Sequence, residues 1–162
     1  MELAEHPTKS WLERVTAAGE RVEDVVSEAK LTWDDRRVSP NGYADGTGVR
    51  EAIRRLDAER FTTVALWRVD GAVRVQLTVH GDRSRGYMAS HVVTDEATED
   101  VRESWLLSPT VSNSGVDTVV MRVSGVKTPL PSRWLCDSEH VEARAVEFLS
   151  GRKLGGAWED AI

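Results

Sequence analysis

The sequence predicts an α+β domain: an antiparallel β-meander of about four to five strands with helices packed on one face, preceded by an N-terminal helix. Three observations predict it. "TTVALWRVDGAVRVQLTVHGD" (62–82) places two alternating apolar runs around Asp70-Gly71, the strongest short-range signal of a β-hairpin. Further strand-like runs, "GYMASHVV" (86–93) and "DTVVMRV" (117–123), follow behind turn-forming residues. Helical apolar spacing occurs before this block and after it, but not inside it, which is the segregated order of an α+β chain.

Taken in order, residues 8–29 read as a helix that Thr8 or Ser10 can cap. Trp11, Val15, Ala18, Val22, Val25 and Ala29 recur at steps of four and three. They form one narrow apolar seam, suited to packing on the chain's own domain or on a partner or second copy. "AKLTWDD" (29–35) reads as a short strand. "VSPNGYADGTG" (38–48) is a loop and the one obvious linker. A helix over 48–59 follows, with Thr47 as its cap and Val49, Ala52, Ile53 and Leu56 on one face. In the second strand of the hairpin Val73, Val75, Leu77 and Val79 point one way, and Arg74, Gln76, Thr78 and His80 the other. One face of the sheet is therefore buried and the other is wet or covered by something polar. "TDEATEDVRE" (94–103) carries five acids and one Arg. "PLPSRW" (129–134) is extended, since Pro129 and Pro131 cannot lie inside a helix. In "CDSEHVEARAVEFLSGRKLGGAWED" (136–160), Asp137 or Ser138 caps a closing helix. Val141, Ala145, Phe148 and Leu149 make its buried stripe, and Gly151 supplies a left-handed stop. The final residues return as a short extended piece that plants Trp158. This divides the chain into a helix at 1–30 and an α+β domain at 31–162.

The totals bound the function. A chain of 162 residues can bury a core without metal or disulfide staples, and one cysteine forms no internal disulfide. No apolar run is long enough to span a bilayer, and the N-terminus lacks a secretory pattern; the expectation is a cytoplasmic protein. A net charge of −6 argues against a generic nucleic-acid binder, which needs a basic face to neutralise phosphates. It is compatible with a basic protein partner.

Several constellations could carry chemistry. Cys136 and His140 lie four apart, but a nucleophilic thiol also needs an activating base and an oxyanion site. His80 and His91 lie on successive strands, where Asp82 or Asp45 could complete a metal site. Yet neither a Cys-x-x-Cys nor a His-Glu-x-x-His pattern is present. "NGYADGTG" lacks the Gly-Lys-Ser/Thr ending of a phosphate loop, and "HGDRSRG" sets two Arg on a hairpin tip. Six Trp residues are spread through the chain. Trp67 and Trp105 are the candidates for an exposed interface anchor, Trp105 because it follows the acidic run.

The C-terminal segment "CDSEHVEARAVEFLSGRKLGGAWED" resembles the small immunity proteins of bacterial polymorphic toxin systems. The carrying features are the Asp-Ser-Glu start of the helix, its Val-x-x-x-Ala-Val-x-Phe-Leu pattern and the Gly-to-Trp exit. "KLTWDD" and "VREAIRRLDAERFTTVALWRVDG" are similar to the family's opening strand and to its first helix and following strand. The likeness spans about 29–160. Gly155 and Gly156 depart from it, standing where the family often has Pro-Thr. The resemblance implies a non-enzymatic antidote, without a cofactor and with no direct contact to nucleic acid or membrane. It would bind a cognate toxin domain one to one, frequently a nucleic-acid deaminase. Under it, Asp137, Ser138, Phe148 and Trp158 are structural. Charge density, not the family motif, nominates Asp95, Glu96, Glu99 and Asp100 as the toxin-binding residues, with Trp105 as anchor. The alternatives are a small enzyme or metal-binding domain using His80 and His91 or Cys136 and His140, or a homodimeric module built on the 8–29 helix.

Overall fold

The computed structural model describes residues 30–33, 37–38, 45–110, 117–123 and 126–161. The predicted 8–29 helix, with the dimer reading built on it, lies outside the described residues. Seven strands form one antiparallel sheet in the order β2-β1-β3-β4-β5-β6-β9. They are β1 Lys30–Trp33, β2 Arg37–Val38, β3 Thr63–Asp70, β4 Val73–Asp82, β5 Gly86–Asp95, β6 Asp100–Leu106 and β9 Trp158–Asp160. Two further strands, β7 Thr118–Val123 and β8 Val126–Pro131, make a separate antiparallel ribbon. Among the described residues the helices are α1 Gly46–Arg54 and α2 Ser138–Leu149, with a short 3-10 turn at Ser132–Trp134. Among the described residues no helix is long and apolar enough to cross a membrane.

The α+β class and the antiparallel sheet with helices packed against it match the expectation, and the sheet is wider than predicted. The extra strands are β2, which pairs with β1, the second half of the acidic run, which pairs as β6 with β5, and the C-terminal β9, which pairs with β6. The strand expected at 117–123 does not join the meander but pairs with β8 in the separate ribbon. The hairpin at 62–82 forms, but Asp70 pairs with Val73, so the two loop residues are Gly71 and Ala72. Gly71 takes the left-handed backbone at φ 61°, which fits a turn with glycine at its first central position.

The first helix differs at both ends from its predicted 48–59 span. Asp45, not Thr47, is the cap, accepting from the Gly48 amide at 2.7 Å. The helix stops at Arg54 because Asp57 captures the next amides, accepting from Glu59, Arg60 and Phe61 at 2.9, 2.9 and 3.0 Å, with Ala58 left-handed at φ 64°. A side chain that bonds backbone amides in this way offers a turn in place of another helical repeat. In α2 the cap is Asp137, accepting from the His140 amide at 2.8 Å, and Gly151 ends the helix at φ 67°.

The two helices bury one sheet face. Ile53, Val141 and Phe148 pack on Val64, Leu66, Leu77 and Val79, and Arg54 bridges to Glu142 at 3.2 Å. The other sheet face was expected to be wet or polar. Instead, one half of it carries a second core of Met88, Trp105, Met121 and Trp134, built under the β7–β8 ribbon. Thr78 and His80 are accordingly buried, His80 to 2% exposure. Alternation on β4 gives the correct faces; what covers them comes from residues some forty positions downstream.

Candidate protein-binding surface

The five acids of the 94–103 run sit on the β5–β6 hairpin. Asp95 pairs with Asp100, so residues 96–99 make the tip. Asp95 is spent on the turn: its carboxylate accepts from the amides of Ala97 at 3.0 Å and Thr98 at 3.4 Å. Glu99 takes the left-handed position at φ 59°. The Glu96 amide donates to the Ala72 carbonyl at 2.8 Å, which ties this tip to the neighbouring β3–β4 turn. Glu96, Glu99 and Asp100 are exposed. Asp100 also meets Arg102 at 3.6 Å, a pair in open solvent that contributes little to stability. Four of the predicted contact residues are therefore brought together at one end of the sheet, three of them with free faces.

Trp105 is not among them. It is 7% exposed, and its ring stacks on Trp134 at 4.7 Å with an interplanar angle of 3°. The reading of Trp105 as an exposed anchor is corrected: β6 alternation turns it under the ribbon, where it fills the second core. The other candidate, Trp67, is half-buried on the same sheet face, beyond the ribbon, with the Arg74 guanidinium 5.0 Å from its ring centroid.

The register defines what else lies beside the tip. Val69 pairs with Arg74, Arg74 with Thr94, and Thr94 with Val101, giving one row across four strands, roughly 15 Å wide. Its end members Val69 and Val101 are 54% and 59% exposed. Behind it runs the row Trp67, Gln76, Val92 and Glu103. The acidic tip thus borders a sheet surface with apolar members, the composition of an interface centre with a charged rim. Sequence reasoning missed Val69 and Val101. The signal for Val101 was present in the alternation Val101, Glu103, Trp105, hidden because the segment was read as a charge run instead of a strand.

The histidine pair of the metal reading is separated by the fold. His80 faces the ribbon core, with its Nδ1 3.2 Å from the Thr63 hydroxyl and its ring 6.2 Å from Trp105. His91 pairs with Leu77 and lies on the helix face, edge-on to Phe148 and Trp158. The expected approach of the two histidines does not occur, because they point to opposite sides of the sheet. Burial lowers both pKa values, that of His80 to about 4. Asp45 and Asp82 are engaged as caps, Asp82 accepting from the amides of Ser84 and Arg85 at 2.8 and 2.7 Å. Among the described residues no group of three or more His, Cys, Asp or Glu could hold a metal ion. Cys136 is buried in the segment pinned to β5, where its backbone exchanges hydrogen bonds with Tyr87. Its thiol donates to the Trp134 carbonyl at 3.7 Å, and burial, then the nearby Asp137 charge, pushes its pKa up to about 12. It is a thiol and not a thiolate at neutral pH, the inactive form for nucleophilic attack. The Nε2 of His140 is buried without a hydrogen-bond partner among the described residues, and burial lowers its pKa.

Comparison with family models, with curated proteins and with solved structures returns no match to this chain.

Proposed function

We propose that this protein is an immunity-type inhibitor. It binds a cognate toxin domain one to one in the cytoplasm and blocks it by occlusion, without chemistry of its own. The observation that carries the reading is the β5–β6 tip, where Glu96, Glu99 and Asp100 project beside the exposed Val69 and Val101. A nucleic-acid-targeting enzyme, such as a deaminase, presents a basic groove for phosphates. Carboxylates on the hairpin can occupy that groove, while the exposed Val69 and Val101 beside them give the contact apolar area. The resemblance of residues 136–160 to immunity proteins points the same way.

The test is binding to the toxin domain encoded beside this protein. In the variant Glu96→Lys/Glu99→Lys/Asp100→Lys, Asp95 stays in place because it holds the turn. The variant should keep its circular dichroism and Tm but bind the toxin on the order of a hundredfold more weakly, mainly through slower association at low salt. A variant that still protects cells from the toxin as well as the unaltered protein would sink the acidic-tip mechanism.

A further inference from the structure

A cleft of about 390 Å³ opens where the end of α2 and the loop after it meet the helix face of the sheet. Five neighbouring strands of the sheet each contribute one side chain to it: Arg68 from β3, Val75 from β4, His91 from β5, Ser104 from β6 and Trp158 from β9, with Phe148 from α2. Arg68 is 9% exposed. Its guanidinium lies over the Phe148 ring at 4.7 Å, and its Nη2 donates to the Phe148 carbonyl. The C-terminal end of a helix is the negative end of its dipole, so this contact holds a cation in place there. The His91 ring is wedged edge-on between Phe148 at 6.4 Å and Trp158 at 6.1 Å. At the mouth stand the exposed Arg152 and Lys153.

The charge of the lining decides what the cleft suits. The chain as a whole carries −6, yet the described residues that line this cleft include three cations and no carboxylate. Most of its wall is apolar, from Val75, Phe148, Leu154 and Trp158. A fixed cation set among apolar walls is the usual arrangement of a small-ligand site. Another cleft, of about 560 Å³ between the β4–β5 turn and the ribbon, has no such preference. It mixes Arg83, Arg122 and Lys127 with Asp57, Glu59 and Asp82.

The geometry points to a binding site for a small amphipathic monoanion, a carboxylate on an aromatic or aliphatic frame. The frame lies against Phe148 and Trp158, and the carboxylate faces Arg68, with Arg152 and Lys153 adding to the field. An aromatic face beside a positioned guanidinium favours this pairing over a bare phosphate, which would leave the apolar wall unfilled. The site lies on the helix face, whereas the Val69–Val101 row lies on the ribbon face, so the inference stands or falls separately from toxin binding.

The test is a titration of the full ¹⁵N-labelled chain with 3-phenylpropionate, followed by amide and indole shifts. Saturable shifts should gather at Arg68, His91, Ser104 and Trp158. The neutral analogue 3-phenylpropanamide and the short anion acetate should each bind at least about tenfold more weakly, and added salt should weaken the carboxylate. Arg152→Glu/Lys153→Glu changes only exposed side chains and should preserve the spectrum while weakening 3-phenylpropionate about fivefold. Three outcomes overturn the inference: no saturation in the millimolar range, equal binding of the amide and the acid, or shifts that map away from the cleft. Toxin affinity of the same double variant should be unchanged, since the acidic tip is untouched, and the Glu96→Lys/Glu99→Lys/Asp100→Lys variant should still bind 3-phenylpropionate, so that failure of the tip and failure of this site are read separately.

Discussion

Burial of His80 ties the stability of this protein to mild acid. The imidazole lies between β4 and the β7–β8 ribbon, 2% exposed, within reach of the Thr63 hydroxyl and the Trp105 ring. Desolvation lowers its pKa from 6.5 to about 4, against a smaller opposing hydrogen bond with the Thr62 backbone. In the unfolded chain the same side chain titrates near 6.5. As pH falls below 6.5, the unfolded state takes up a proton that the folded state refuses until about pH 4. Stability from the neutral, buried ring is therefore fully present above pH 6.5 and is lost across the window from 6.5 to 4. At 1.36 kcal/mol per pH unit the ceiling is about 3 kcal/mol, of which about 2 kcal/mol is gone by about pH 5.

This window is separable from carboxylate titration. Glu159, whose carboxyl is held down to about 2 by hydrogen bonds from Arg133 and Trp134, acts only as pH falls from 4.5 toward 2. Urea denaturation of the wild type at about pH 7 and about pH 5, beside a His80→Asn variant, isolates the histidine. The variant is less stable at neutral pH, since a well-packed ring is lost, but it should lose about 2 kcal/mol less than wild type between the two conditions. His91 and His140 are also shifted downward, so both proteins retain some dependence, and the difference between them is the quantity to read. Equal losses in the two proteins would refute the reasoning. So would a His80 imidazole that titrates by NMR at its ordinary value.

Other predictions rest on single contacts. Glu159 accepts from Arg133 Nε and Nη2 and from Trp134 Nε1, each at 2.7 Å, which clamps β9 to the turn before α2. Glu159→Gln should lower Tm by roughly 3 °C, and an unchanged melting curve would mean the clamp holds nothing. Gly81 has φ 127°, and a Cβ there would stand 2.2 Å from the Gly86 carbonyl oxygen and 2.8 Å from Tyr87 Cα. Gly81→Ala should cost about 2 kcal/mol or more in denaturant unfolding. Gly71→Ala has the left-handed backbone but open space around it and should cost only about 1 kcal/mol; equal costs at the two positions would contradict the packing around Gly81. The Cys136 thiol, pushed up to about 12, should resist iodoacetamide in the native protein at mildly alkaline pH and react promptly once urea unfolds it. Fast labelling of the folded chain would place it at the surface.

Local patterns made much of the fold legible. Period-two alternation marked β3, β4 and β5 and put Leu77 and Val79 in the core, where they are fully buried. The Asp137 cap, the Val141–Leu149 stripe and the Gly151 stop described α2 closely, because each of those signals acts within one helical turn of its own residue. The shorter α1 was misjudged at its end, since Asp57 bonding the amides of Glu59, Arg60 and Phe61 outweighs the apolar spacing that runs past it. The acidic hairpin was visible as charge but not as strand. Five acids in ten residues masked the alternation that puts Val101 and Trp105 on one sheet face, where the second core buries Trp105 and leaves Val101 exposed.

What the sequence alone determined is therefore the class of fold, the identity of its main strands and closing helix, and the gathering of Asp95, Glu96, Glu99 and Asp100 on one short segment. Only the tertiary structure decided the rest. It put His80 and His91 on opposite faces, buried Trp105 against Trp134, set Val69 and Val101 in one exposed row, and brought Arg68 to Phe148 across eighty residues of chain. The physical reason is that alternation fixes which way a side chain points but not what lies above it. The β7–β8 ribbon and the end of α2 cover opposite faces of the sheet, and that choice turns a polar strand face into core on one side and leaves an open cleft on the other.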